Sequence, residues 1–227
     1  CIGMTSLGSS ALKYMKFLKP ELEARGYEVA IFHSTGMGGR AFEGLCAQGA
    51  FVAVMDFCMQ ELSNHIHGSE VTSGENRLTA AGKHEIPQIC APGCHDLVDL
   101  ICWQDIPEKW KNHPHHAHNR LISSIVLKPE ERVQVAEGCM QKLSKALSET
   151  HMILPLGGCG EWDRPDGGLY DPVGLETFMR ACKKNCPSNV ILHEHDSHIN
   201  DLDFSNKALK IFDDMVDRGI VVKGFIE

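Results

Sequence analysis

The chain has 227 residues, 43% hydrophobic and 23% charged, with 30 acidic against 22 basic side chains and a formal net charge of −8. That composition fits one α/β domain with a sizeable core, and an acidic chain without a long basic run is a poor match to nucleic-acid backbone binding. No stretch approaches the roughly 20 apolar residues that span a bilayer and no charged-then-apolar leader precedes the first strand, so the expectation is a soluble, cytoplasmic protein that engages neither nucleic acid nor membrane.

Ten cysteines are scattered without a C-x-x-C pair. Cys46, Cys58, Cys90 and Cys139 sit in apolar neighbourhoods, where a reduced Cys packs as a small hydrophobe. Cys182 and Cys186, four apart on a helix end, offer only a weak metal clasp. The chain opens at Cys1 on a strand and not on Met, which reads as part of a longer polypeptide.

Ile2 to Met4 predicts a strand that stops at the polar run Thr5-Ser6-Leu7-Gly8-Ser9-Ser10. Leu12, Met15, Leu18 and Leu22 then recur at helical spacing up to Gly26. Tyr27 to Phe32 is a second strand, and His33-Ser34-Thr35-Gly36-Met37-Gly38-Gly39-Arg40 turns it into a helix that ends near Gly49. The spacing of the three glycines matches neither the dinucleotide fingerprint nor a phosphate loop, which would carry a Lys. Two readings stand: a cradle whose amides receive an anion, or a tight connection that needs Gly.

Phe51 to Met55 is a third strand, closed by Asp56. Short connections imply right-handed crossovers and a parallel sheet, whose ligands gather beyond the strands' carboxyl ends. Gly68 to Gly74 reads as a loop and Glu75 to Lys83 as a short helix. Ile86 to Cys90 is a strand delivering Ala91-Pro92-Gly93 to the same rim. Residues 99–120, with Trp103, Trp110 and a run of histidines, read as a long irregular excursion. Leu121 to Leu127 is extended, Pro129 to Leu147 helical, and His151 to Leu156 a strand. Gly157 to Asp171 is too rich in Gly and Pro for regular structure. Val173 to Lys183 is a helix, Asn189 to Glu194 a strand, and Asp203 to Arg218 the last helix. The fold class expected over residues 1–227 is a single Rossmann-like, three-layer α/β/α domain with a mostly parallel sheet.

The rim segments resemble the C-terminal domain of uncharacterised protein family 0261, the family that includes the tomato mosaic virus resistance protein. The resemblance is carried by Phe32 to Ala41, Ile86-Pro87-Gln88 with Ala91-Pro92-Gly93, His118-Asn119, Leu154-Pro155-Leu156, Asp166-Gly167-Gly168 with Tyr170-Asp171-Pro172, and Asp196 to Asp201. It implies a two-lobed protein of Rossmann-like units, of which this chain is the second lobe, with ATP or another nucleotide as a ligand of the full-length protein. Two positions depart from the family's pattern: Gly157, where a basic residue is common, and Arg120, where Pro is common. The first removes an anion contact.

The candidate ligand-binding residues are Thr5, Gly8, Ser9, Thr35, Gly36, Gly38, Gly39, Arg40, Asp56, Pro92, Gly93, Asp196, Asn200 and Asp201, joined through the resemblance by His118 and Asn119. Arg40 offers a bidentate fork to a carboxylate or phosphate. His198 is the first candidate for acid/base chemistry and His33 the second, since an imidazole titrates near neutrality. Asp196 to Asp201 reads equally as a hydrogen-bonded turn capping the last helix. His193 and His195 share a strand face and would need a third ligand to hold a metal. Cys94 beside His95 is a remote thiol candidate. The function expected is binding of a nucleotide-like or acidic small molecule, with acid/base catalysis at the rim. The alternative is an assembly module in which Trp103 and Trp110 dock the N-terminal lobe or a second copy in a homo-oligomer.

Overall fold

The computed structural model describes residues 1–8, 10–117 and 119–225. In chain order the elements are β1 (Ile2–Ser6), α1 (Lys13–Ala24), β2 (Val29–His33), α2 (Met37–Ala47), β3 (Ala53–Cys58), α3 (Gln60–His67), α4 (Ala80–Lys83), β4 (Gln88–Gly93) and β5 (Leu97–Ile101). There follow a 3-10 turn at Glu108–Trp110, β6 (His115–Ala117), β7 (Ile122–Val126), α5 (Pro129–Leu143), β8 (Thr150–Pro155), α6 (Pro172–Lys184), β9 (Val190–His195) and α7 (Leu202–Asp217).

Six strands form one all-parallel sheet in the order β2-β1-β3-β4-β8-β9. Its inner strands are buried along their whole length, the pattern of a sheet covered on both faces. Ile2, Met4, Met55, Ile89 and Ile153 pack one face against α1 and α7. On the other face Cys90, Met152 and Leu154 meet α5 and α6, and Val54 meets Phe42 of α2. The three-layer α/β/α expectation is therefore the observed architecture.

β1 lies between β2 and β3, so the chain reverses its direction of travel across the sheet at β1. The loops after β1 and β3 part there, and such a switch point opens a crevice at the carboxyl rim. Above that rim sits a second, antiparallel sheet, β5-β7-β6, paired from Leu97↔Val126 to Ile101↔Ile122. The stretch 99–120, expected to be irregular, thus supplies the end of β5, the 3-10 turn and β6. Two further differences matter for the site. Helix α3 has no counterpart in the expected elements: its apolar stripe is only Met59, Leu62 and Ile66, and the Gln60, Glu61, Ser63 and Asn64 between them read as solvent-facing although they are buried. The helix expected from Glu75 begins only at Ala80, because Leu78 holds a positive φ of 66°.

Among the described residues all ten cysteines are free thiols, and no helix is long and apolar enough to cross a membrane.

Candidate functional site

The glycine turn after β2 does receive a carboxylate, and it comes from the chain itself. Gly36 takes φ +92°, and its N–H and that of Gly39 both donate to Glu61 Oε1, at 2.5 and 3.0 Å. A Cβ on Gly38 would stand 1.8 Å from the His33 carbonyl oxygen, and one on Gly39 1.9 Å from Glu61 Oε2. These two glycines are required by close approach, with the anion site of the turn already filled.

Glu61 belongs to a buried knot beneath the rim. Its Oε2 accepts from Arg77 Nε at 2.9 Å. The Arg77 guanidinium, 1% exposed, also forks onto Asp56 through Nη1 and Nη2 and donates to the Cys58 carbonyl and to Glu43. Glu43 accepts the N–H groups of Leu78, Thr79 and Ala80, and burial raises its carboxyl above the usual range. Thr5 Oγ1 donates to Asp56 Oδ1 at 2.7 Å and accepts from Cys58 N–H. Asp56 does not end its strand at the rim as expected, since β3 continues through Phe57 and Cys58. Both Thr5 and Asp56 hold the inside of the sheet.

Directly above this knot lies a cavity of about 520 Å³, within the size range of small-molecule sites. Leu7, Gly8 and Ser10 from the loop after β1, and His33, Thr35, Gly36, Met37 and Arg40 after β2, form one wall. Leu97, Asp99, Ile101, Ile122 and Ser124 of the small sheet, with Trp103, Asn119 and Leu121, form the other. Gln60 of α3, the segment Glu70–Thr72 and Trp162 complete it.

Two ends of this cavity are polar. On the rim side, Gly8 N–H donates to His33 Nδ1 at 3.2 Å, which leaves the neutral ring's proton on Nε2, a group without a partner among the described residues. Arg40 donates to the Thr72 carbonyl at 3.2 Å and has no carboxylate partner among the described residues. On the floor, Asp99 Oδ1 accepts from Gln60 Nε2 at 2.8 Å and from Ser124 Oγ at 2.7 Å. The backbone of Asp99 is held by Asn64 and Ser69. Gln60 Oε1 is buried with no partner among the described residues.

Of the expected site residues, the structure brings Gly8, His33, Thr35, Gly36, Arg40 and Asn119 to this cavity; Ser9 and His118 lie outside the described residues. The others stand elsewhere. Pro92 and Gly93 end the buried strand β4, where a Cβ on Gly93 would meet the Phe57 carbonyl at 2.1 Å. Asn200 Oδ1 accepts the N–H groups of Leu12 and Lys13, capping α1 from the far end of the chain. Asp201 pairs with Arg164 and accepts from His198 N–H, and Asp196 is exposed.

His198 is buried and tied at both ring nitrogens: Nδ1 accepts from Asn200 N–H at 3.0 Å, and Nε2 donates to the Gly160 carbonyl at 2.9 Å. Burial lowers its pKa. His193 and His195 take separate partners, His151 and Asp203, and among the described residues no cluster of His, Cys, Asp or Glu is arranged to hold a metal. The Cys94 thiol is fully buried and pushed up by that burial, the opposite of an activated thiolate. Gln60, Asp99, Ser124 and Trp162 were not among the expected residues. The one signal for Asp99 was a carboxylate interrupting the apolar run Leu97 to Ile101.

Residues 1–216 match the C-terminal domain of the uncharacterised protein family UPF0261. The chain is 53% identical over 223 residues to a UPF0261 protein of Brucella melitensis, covering 98% of this chain and 53% of that protein. It is 31% identical to a UPF0261 protein of Clostridium tetani, covering 96% and 54%. Against the ToMV resistance protein Tm-1(GCR237) of Solanum lycopersicum the identity is 28%, covering 93% of this chain and 28% of that protein. The chain therefore spans about half the length of the bacterial relatives it matches.

Proposed function

We propose that this chain, which belongs to the UPF0261 family as its C-terminal domain, binds a small organic anion in the cavity between the switch point and the antiparallel sheet. The observation that carries the reading is the pairing of Arg40, a cation with no carboxylate partner among the described residues, with the open Nε2–H of His33, both on the wall of a cavity otherwise mostly apolar. Bidentate guanidinium recognition suits a carboxylate or phosphate. Trp103, largely exposed on the other wall of the cavity, offers a face for a flat or apolar body. A nucleotide-like or acidic metabolite meets these demands, and ATP or another nucleotide is a ligand of this kind for the full-length protein. His33 is the group placed for proton transfer to such a ligand, and His198 supports the fold behind it.

Isothermal titration of AMP and 3-phenylpropionate into the wild-type protein and Arg40→Ala tests this. Binding that weakens about 10- to 100-fold in the variant, the worth of one charged hydrogen bond, supports the site; no heat from either compound counts against it.

A second reading, an assembly module, has its own observation. Met37, Trp103 and Leu121 at the cavity mouth are 83%, 70% and 60% exposed, a concentration of apolar surface that marks contact sites. The N-terminal lobe or a second copy in a homo-oligomer would cover it. Sedimentation of the protein before and after Trp103→Ala distinguishes this reading: an unchanged monomer argues against a second copy there.

A further inference from the structure

The cavity floor carries a demand that the anion end does not meet. Gln60 is 2% exposed, and its amide orientation is dictated: Nε2 donates to Asp99 Oδ1, and exchanging nitrogen for oxygen would set two acceptors face to face. The carbonyl oxygen Oε1 is then a buried acceptor without a partner among the described residues, on a side chain that lines the cavity. Ser124 cannot answer it, because its hydroxyl proton is committed to the same Asp99 oxygen. A buried acceptor left unmet destabilises the folded chain, and such a group in a cavity wall is satisfied by whatever fills the cavity.

Taking the cavity as the ligand site, we propose that its floor selects ligands that present a hydrogen-bond donor, a hydroxyl or ammonium group, in addition to the anionic group met by Arg40. The ligand class is then a hydroxy acid, an amino acid or a nucleotide with its ribose hydroxyls intact. A plain monocarboxylate fits the apolar walls equally well and leaves Gln60 Oε1 unpaired. Sites built to hydrogen-bond a ligand's hydroxyl reject the analogue lacking it far more strongly than apolar pockets reject a missing methylene.

Two matched pairs titrated calorimetrically at fixed salt test this: 3-phenyllactate against 3-phenylpropionate, and AMP against its 2′,3′-dideoxy form. The expected result is that the hydroxylated member of at least one pair binds about 10- to 100-fold more tightly. In Gln60→Leu, with its fold checked by circular dichroism, the ratio of affinities within that pair falls to about one, whatever the absolute affinity of either member. Equal affinity within both pairs overturns the donor requirement and leaves the cavity as an anion site. A folded Gln60→Leu protein that keeps the preference also overturns it. Absence of binding by all four compounds removes the cavity reading and this one together. If the variant does not fold, the wild-type pairs decide alone.

Discussion

The Glu61 carboxylate accepts the backbone N–H of Gly39 at 3.0 Å while its other oxygen holds Arg77 at 2.9 Å. One side chain of α3 thus joins the glycine turn to the buried guanidinium. Removing it in Glu61→Ala leaves two amides and part of a buried cation unpaired, and the expected loss is about 3–5 kcal/mol in urea unfolding. The same variant empties the amide cradle. Phosphate at millimolar concentration is expected to raise the thermal midpoint of the variant and not of the wild type.

The two glycines of α2 that differ most in surroundings give opposite outcomes. In Gly38→Ala the new Cβ meets the His33 carbonyl oxygen at 1.8 Å, and backbone cannot yield as a side chain tip can, so a loss of at least about 1–3 kcal/mol is expected. Gly44 has nothing within 4 Å of its Cβ position and lies inside the same helix. Gly44→Ala should gain about 0.5–1 kcal/mol. Chemical denaturation of the two variants side by side checks both.

His33 and His198 separate binding from folding. His33→Ala removes an exposed ring and is expected to change stability by less than about 0.5 kcal/mol while weakening anion binding. His198→Ala strips partners from the Asn200 N–H and the Gly160 carbonyl and is expected to cost about 1–3 kcal/mol. Its affinity for the same anion, measured below the unfolding transition, should stay at the wild-type value.

Asp163 supplies a pH signature. Burial, reinforced by the nearby Asp96 carboxylate, pushes its carboxyl from 3.8 up to about 7, with Arg132 acting in the opposite sense. Because the folded state keeps the proton where the unfolded state has lost it, this group's contribution falls as pH rises from about 4 and is fully lost above about 7. His95 and His193, lowered by burial to about 4, work the other way and weaken the fold as pH falls below 6.5. The difference between wild type and Asp163→Asn isolates the first effect. Wild type relative to variant should be most stable near pH 4 and least stable above pH 7, read from thermal midpoints across that range.

The six parallel strands were legible because each is a short apolar run bounded by turn residues, and α1, α5, α6 and α7 because their apolar positions recur at helical spacing. Helix α3 was not, since beside Leu62 the side chains it turns inward are Gln60, Glu61, Ser63 and Asn64, which meet polar partners there and look in sequence like a solvated face. Arg77 escaped notice for the same reason: a charge deep in the fold looks, in sequence, like any solvated loop residue. At the candidate site the wall from Gly8 and from His33 to Arg40 could be read from turn chemistry. The floor could not, because Gln60, Asp99 and Ser124 meet only after strands and helices separated by 39 and 25 residues have folded together. The glycine turn shows the limit from the other side: its chemistry was readable, and the identity of its anion depended on tertiary structure.

Asp99 is gripped at its carboxylate by Gln60 and Ser124 and at its backbone by Asn64 and Ser69. An arriving molecule therefore finds the floor already in place and has little chain to order. The entropic penalty of association is small in such a site. Association should be a single fast step with no concentration-independent phase, and affinity differences between ligands should be written in how slowly each one leaves.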